Sequence, residues 1–166
     1  MRDAEQKIMD RAVLAEECAR RRAEGKVVVF TNGCFDLMHA GHAGYLAFAR
    51  SQGDLLIVAL NTDASVRRNK GERRPIVDER NRARMMAALE CVDYVTWFDE
   101  DEPKELVAEL QPDVLVKAED WAHYVSGRDV VEARGGRVVL APMVKGLSTT
   151  AIIERIVQAY GGGASP

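Results

Sequence analysis

The chain repeats one unit: a short apolar run bounded by polar turn residues, then a stretch with helical spacing. Lys26 to Phe30 and Asp54 to Leu60 are nearly continuous apolar runs, as expected of strands covered on both faces. The gap between them has room for a crossover helix that includes Gly44 to Ala49, so the two runs read as a βαβ unit. The alternation continues. Asp78 caps a predicted helix running to Glu90, with Met85, Met86 and Leu89 turned inward, and Val92 to Phe98 is the next strand. Residues 103–110 predict a short helix, Asp113 to Lys117 a strand, Gly127 to Arg134 a helix and Arg137 to Ala141 the last strand. Ser148 caps a final helix whose apolar side is Ile152, Ile153, Ile156 and Val157. Strands alternating with helices predict an α/β fold: a single doubly wound, Rossmann-like domain with a five-stranded parallel sheet.

Ahead of the first strand, residues 4–24 read as an amphipathic helix with Ile8, Ala12, Ala15 and Ala19 as its apolar strip, ended by Gly25. Arg20, Arg21 and Arg22 sit at its C-terminal end, where cations suit the helix dipole, and read as a solvated helix end. The expected organisation is an N-terminal helix in residues 1–25 packed on the domain, the domain itself over 26–160, and a disordered tail over 161–166.

Charge and cysteine usage exclude several classes. A chain of 166 residues has room for one core that needs no covalent staples. The net charge of −3 argues against a general nucleic-acid binder, which carries a basic excess. Trp97, Trp121, Tyr94 and Tyr124 are too scattered for a base-stacking platform, and Trp97 reads as core. Cys18, Cys34 and Cys91 are odd in number with no Cys-x-x-Cys, which fits reduced thiols better than a disulfide frame or a zinc site. No apolar stretch approaches the roughly 20 residues needed to cross a bilayer. Residues 1–23 are studded with charge and carry no apolar signal segment. The expectation is a soluble cytoplasmic protein without nucleic-acid or membrane partners.

The polar segments that could do chemistry all follow strands. They are Thr31 to His42, Asn61 to Arg74, Lys117 to Trp121 and Lys145 to Thr150, and in a doubly wound sheet ligands bind outside the carboxyl ends of the strands. The first segment, Thr-Asn-Gly-Cys-Phe-Asp-Leu-Met-His-Ala-Gly-His, joins a strand to a helix. Such a turn presents free N–H groups and the positive end of a helix dipole, a site for phosphate. His39 and His42, three residues apart, fall on one side of the first helical turn. Asp36 either orients a histidine or closes the turn. Gly33 would let a ligand approach the backbone, to which Thr31 and Phe35 also contribute. Arg67 to Arg74 carries five positive charges in eight residues and reads as an exposed loop at the rim.

The segment Thr31 to His42 resembles the first signature of the HxGH nucleotidyltransferases, and Ser148-Thr149-Thr150 resembles their last. Over most of its length the chain is similar to the heptose-phosphate adenylyltransferases that form part of bifunctional ADP-heptose synthases. It resembles the glycerol-3-phosphate cytidylyltransferases more distantly. The resemblance implies that residues 26–160 are a nucleotidyltransferase domain joining ATP to D-glycero-D-manno-heptose 1-phosphate, giving ADP-heptose and pyrophosphate. It implies catalytic roles for His39, His42, Lys70 and Arg82, with a surface pair to Asp78 or Glu79 as the other reading of Arg82. It implies nucleotide contacts from Thr31, Asn32, Gly33, Phe35, Lys117, Asp120, Trp121, Ser148, Thr149 and Thr150. The acceptor would meet Asp36, Asn61, Asp63 and Arg74. Mg²⁺ is expected to arrive on the triphosphate, with no protein ligand assigned. A homodimer and a separate sugar kinase upstream complete the implied picture.

Two departures leave the nucleotide open. Ala118 and Glu119 stand where the heptose branch has two glycines, and Asp120-Trp121 leans toward the cytidylyltransferases. Those enzymes, however, carry an arginine where this chain has Met143. Lys117, Asn61-Thr62-Asp63-Ala64-Ser65 and Ala88-Leu89-Glu90-Cys91-Val92-Asp93 favour the heptose branch. A cytidylyltransferase for a polyol phosphate and a nucleotide-binding regulatory module without turnover are the alternatives.

Overall fold

The computed structural model of the chain describes residues 3–143 and 146–161. Lys145 and residues 162–166 of the expected tail lie outside the described residues. Five strands, β1 (Val28–Gly33), β2 (Leu55–Asn61), β3 (Tyr94–Phe98), β4 (Val114–Ala118) and β5 (Arg137–Ala141), form one sheet in the order β3-β2-β1-β4-β5. Every neighbouring pair is parallel. The helices are α1 (Arg11–Ala23), α2 (Ala40–Arg50), α3 (Asp63–Lys70), α4 (Glu79–Ala88), α5 (Lys104–Leu110), α6 (Arg128–Ala133) and α7 (Thr149–Tyr160). This is the five-stranded, doubly wound parallel sheet that the alternation predicts.

Period-two side-chain direction divides the apolar residues between two cores. Val28 and Phe30 of β1 join Ile57, Ala59, Tyr94 and Leu115 under α1, α5 and α6. Val29 joins Leu56, Val58, Leu60, Val95 and Val116 under α2 and α4. Full burial of each such side chain contributes roughly 1.5–3 kcal/mol, so the apolar strands carry the stability. Aspartates just before three of the strands fix their register. Asp54, Asp93 and Asp113 accept from Val27 N, Leu56 N and Val28 N, each at 2.8 Å. Pinned at that end, the strands present their carboxyl ends together at the other.

The N-terminal expectation is corrected. Residues 4–24 are not one helix: Glu5–Lys7 form a short 3₁₀ turn, Ile8 bridges Val95 on the edge of β3, and Met9 N donates to Val95 O at 2.9 Å. Asp10 then caps α1 by accepting from Ala12 N at 2.8 Å, so the helix starts there. Its buried stripe is Leu14 and Cys18 with Ala15 packed beside them, while Ala12 and Ala19 are exposed. The larger apolar side chains, one turn apart, decide which face turns inward. The arginines are not all solvated: Arg22 donates to Leu110 O and Gln111 O, closing the end of α5.

Three further expectations change. Met85 is 56% exposed, because the inward face of α4 is Arg82, Ala83, Met86 and Ala87, and that helix ends at Ala88. The basic run is only partly a loop, since Thr62 caps α3 and carries it to Lys70. Finally, α7 forms where expected, capped by Ser148, but buries none of its residues: Ile156, Val157 and Tyr160 stay open.

Candidate active site

Strand β1 runs three residues further than its apolar run, through Thr31, Asn32 and Gly33, which pair with Val58, Ala59 and Leu60. The loop then turns through Phe35, whose φ of 45° is a left-handed conformation uncommon for a bulky side chain. That turn buries the Phe35 ring and sets it edge-on against His42, centroids 5.4 Å apart. A Cβ on Gly33 would lie 3.0 Å from this ring, so the glycine makes room for Phe35 itself. Thr31 is also fully buried: its hydroxyl lies 2.6 Å from Tyr45 OH, which donates to Val116 O at 3.0 Å. Thr31 therefore ties α2 to β1 and β4.

His39 is the N-cap residue of α2, and His42 stacks on it with ring centroids 3.9 Å apart and planes 23° from parallel. The backbone N–H of His39 donates to His42 Nδ1 over a long 3.4 Å, which leaves the proton of a neutral His42 ring on Nε2. Burial, and then the neighbouring His39, push His42 down to about 4, so the ring is a neutral donor at pH 7. His39 Nδ1 is buried without a hydrogen-bond partner among the described residues, in a fold that satisfies nearly all such atoms. A Cβ on Gly41 would lie 3.0 Å from the His39 ring, which is why a glycine separates the pair.

Below this corner sits a buried ionic frame. The Asp36 carboxylate accepts from Arg74 Nε at 2.6 Å, Ile76 N at 2.9 Å and Val77 N at 2.8 Å. Asp36 thus neither orients a histidine nor merely closes its own turn; it clamps a loop some 40 residues further along the chain. Arg82 is 1% exposed and donates to Val77 O, Cys34 O, Asn61 O and Asp63 Oδ1. A surface pair with Asp78 or Glu79 is excluded by that burial. Asn61 in turn donates to Ser65 Oγ at 3.0 Å and receives the Cys34 thiol at 3.8 Å. Lys70 is exposed at the end of α3, close enough that its charge, with those of Arg82 and Arg74, counters the rise that burial imposes on the Cys34 thiol.

The last segment reaches the same rim. Ser148 caps α7 by accepting from Ala151 N at 3.0 Å, and Thr149 Oγ1 donates to Leu37 O at 3.1 Å. Leu147 Cβ lies 3.5 Å from a Cβ built on Gly41. The N-termini of α2 and α7 therefore meet. On the β4 side, Lys117 donates to Asn32 Oδ1 at 3.1 Å and lies 5.3 Å from the centre of the Trp121 ring. Asp120, Trp121 and Thr150 are exposed at this rim.

So the four polar segments expected to converge do so, within the described residues. Two contributors were not foreseen. Tyr45 looks like any helical aromatic in the sequence, and Glu79, which accepts from Asp63 N at 2.7 Å, looks like a first-turn acid. Two open clefts, about 590 and 570 Å³, lie beside β3 and α5 and include none of the signature residues. In the first of these the lining arginines are already paired with lining acids, Arg11 with Glu100 and Arg68 with Asp99 and Asp101. Among the described residues there is no cluster of three His, Cys, Asp or Glu fit to hold a metal, and no helix long and apolar enough to cross a membrane.

Comparison with known proteins matches this geometry. The cytidylyltransferase-like family matches residues 30–155. The chain is 56% identical over 160 residues to the bifunctional protein HldE of Trichlorobacter lovleyi, covering 96% of this chain and 33% of that protein. Against HldE of Geobacter sulfurreducens the identity is again 56%, over 96% of this chain and 32% of that protein. The chain thus spans about a third of the length of the curated relatives it matches. Among solved structures, the lipopolysaccharide core biosynthesis protein from Thermoplasma volcanium is 29% identical, with a TM-score of 0.60 over 73% of this chain and 98% of that one. Pantothenate synthetase from Thermus thermophilus, at 18% identity and a TM-score of 0.56 over 94% of this chain and 77% of that one, shares the fold. With the matched region running from Phe30 in β1 to Arg155 in α7, and so enclosing both helix termini of the site, the chain belongs to the cytidylyltransferase-like family of HxGH nucleotidyltransferases.

Proposed function

We propose that the chain joins ATP and D-glycero-D-manno-heptose 1-phosphate to give ADP-heptose and pyrophosphate. The observation that carries this reading is the meeting of two helix N-termini, α2 at His39 and α7 at Ser148, tied by the Thr149 to Leu37 hydrogen bond. Two helix dipoles and two imidazoles aimed at one place suit a triphosphate. An oxygen of the acceptor phosphate attacks the α-phosphorus in line, and the bond from that phosphorus to the bridging oxygen breaks. Pyrophosphate leaves with the electron pair. The attacking phosphate is already ionised, so no covalent enzyme intermediate and no general base are required. Negative charge grows on the non-bridging and leaving oxygens. In this reading His39, His42 and Lys70 stabilise it, while Ser148, Thr149 and Thr150 hold the nucleotide.

In this reading Arg82 acts at one remove. Four of its N–H bonds are committed to protein acceptors, so it holds Asn61 and Asp63 in place for the acceptor rather than touching phosphate. The carboxylates of Asp36 and Asp63 are engaged by Arg74 and Arg82. The donor set therefore does not suit a resident metal, and Mg²⁺ enters as part of the substrate, keeping most of its water shell. The acceptor's phosphate is made by a sugar kinase acting earlier, in the cytoplasm where ATP is available. A homodimer belongs to the same reading through the likeness to the heptose branch.

Pyrophosphate release tests the proposal. The purified chain is incubated with Mg²⁺, each nucleoside triphosphate and a panel of sugar and polyol phosphates. Release with ATP and the heptose 1-phosphate is expected; release only with CTP and glycerol 3-phosphate would make it a cytidylyltransferase. Asp120-Trp121 is the feature that keeps that second reading in play. Nucleotide binding with no turnover on any acceptor would make the chain a regulatory module.

A further inference from the structure

Asn32 and Lys117 lie at the carboxyl ends of β1 and β4, the neighbouring strands at which the order of the sheet reverses. Lysine can only donate, so both oxygens of Asn32 face the ammonium: Oδ1 at 3.1 Å and the backbone oxygen at 3.5 Å. That fixes the amide. Its NH₂ group points away from Lys117 and has no partner among the described residues. No carboxylate among the described residues forms an ion pair with the ammonium either. The titratable groups that act on it are Asp120, on its own segment, and Cys34, on the loop after β1. The Trp121 ring, 5.3 Å away, covers it on one side. A half-buried cation held by a neutral amide is a poor stabiliser of the fold, since burial costs more than one neutral partner returns.

We propose that Lys117 is a positioning residue: it turns the Asn32 amide so that the NH₂ group donates to an acceptor atom of the bound nucleotide in the β1–β4 crevice. The proposal rests on the nucleotidyltransferase reading for the identity of the ligand, and it assigns Asn32, rather than Lys117, the direct contact. Burial pushes the Lys117 ammonium down to about 8, so its hold on the amide weakens in mildly alkaline solution.

Binding of ATP, measured by calorimetry, separates this from a merely structural lacing of β1 to β4. We expect K117M and N32A each to bind about tenfold more weakly at pH 7, the worth of one hydrogen bond at the site. The double variant should be no weaker than N32A alone, because Lys117 acts only through the amide. Raising the pH to 9.5 should shrink the gap between wild type and K117M toward nothing. Urea midpoints confirm that each variant is folded. K117M binding as tightly as wild type, multiplying effects in the double variant, or a gap that persists at pH 9.5 would each overturn the proposal. Calorimetry needs no turnover, so an inactive chain with this binding pattern would sink the assigned reaction and leave the positioning role standing, and an active chain with wild-type binding in K117M would do the reverse.

Discussion

A histidine ring kept neutral at a phosphate site offers a directed donor without a charge of its own, and His42 is held in that state by burial and by His39. Proton NMR of the free chain should find His42 titrating near pH 4, with the midpoint rising once ATP brings negative charge to Nε2. His42→Ala should lower turnover on the order of 10²–10³ with the urea midpoint nearly unchanged, as expected for a donor that acts on developing charge. Asp36 makes the opposite case. Burial resists its ionisation, but the N–H groups of Ile76 and Val77 and the Arg74 guanidinium outweigh that and hold the carboxyl below its usual range. A depressed carboxyl stabilises the fold above the unfolded value of about 3.9, and the stabilisation is lost as the pH falls through the folded value. Asp36→Asn should therefore destabilise by about 3 kcal/mol at pH 7, with the difference closing in urea titrations as the pH falls through the depressed folded value. That His39 and His42 lie on one side of the first helical turn was legible from their spacing. The role of Asp36 was not, because its partners are distant in sequence and only the folded chain brings them together.

Elements were legible wherever one periodicity ran unopposed. The apolar strands could only be covered on both faces, and the structure buries every residue of β2. Where two signals competed, the reading failed. Asp10 inside an apparently continuous helix is a cap, and the residues before it find better partners on the edge of β3. The short α3 was hidden in a run of charge, since its start signals, the Thr62 cap accepting from Ser65 N and Asp63 in the first turn, lie ahead of that run. Arg82 shows what the misread regions do. One guanidinium joins the loop after β1, the end of β2, the start of α3 and the turn before α4. Arg82→Met would leave three carbonyls and Asp63 without that donor, so a loss of about 3 kcal/mol is expected in chemical denaturation. Because those segments also carry the residues proposed for the acceptor, KM for the sugar phosphate should rise more than KM for ATP.

Across the whole molecule, stability and site chemistry are unevenly shared. The two cores gather all five strands and the helices α1, α2, α4, α5 and α6, whereas α7 buries no residue and is joined to the rest chiefly at its N-terminus, through Thr149 and Leu37. A segment with so little buried apolar surface opens at a small fraction of the global unfolding cost, so its amides should exchange fastest among the helices. The site, however, spans both parts, because Ser148 and Thr149 belong to α7 and the histidines to α2. A triphosphate bound between the two helix ends must therefore stabilise α7 more than it stabilises the core. At 100 times its dissociation constant, a ligand that binds only the native state adds about 2.7 kcal/mol. For a chain of this size that is a rise of roughly 5–10 °C in Tm. Hydrogen exchange read by mass spectrometry, with and without ATP, should show protection concentrated in residues 149–160 and around 39–42. Equal protection spread over all five strands with none in α7 would mean that the nucleotide does not bridge the helix ends.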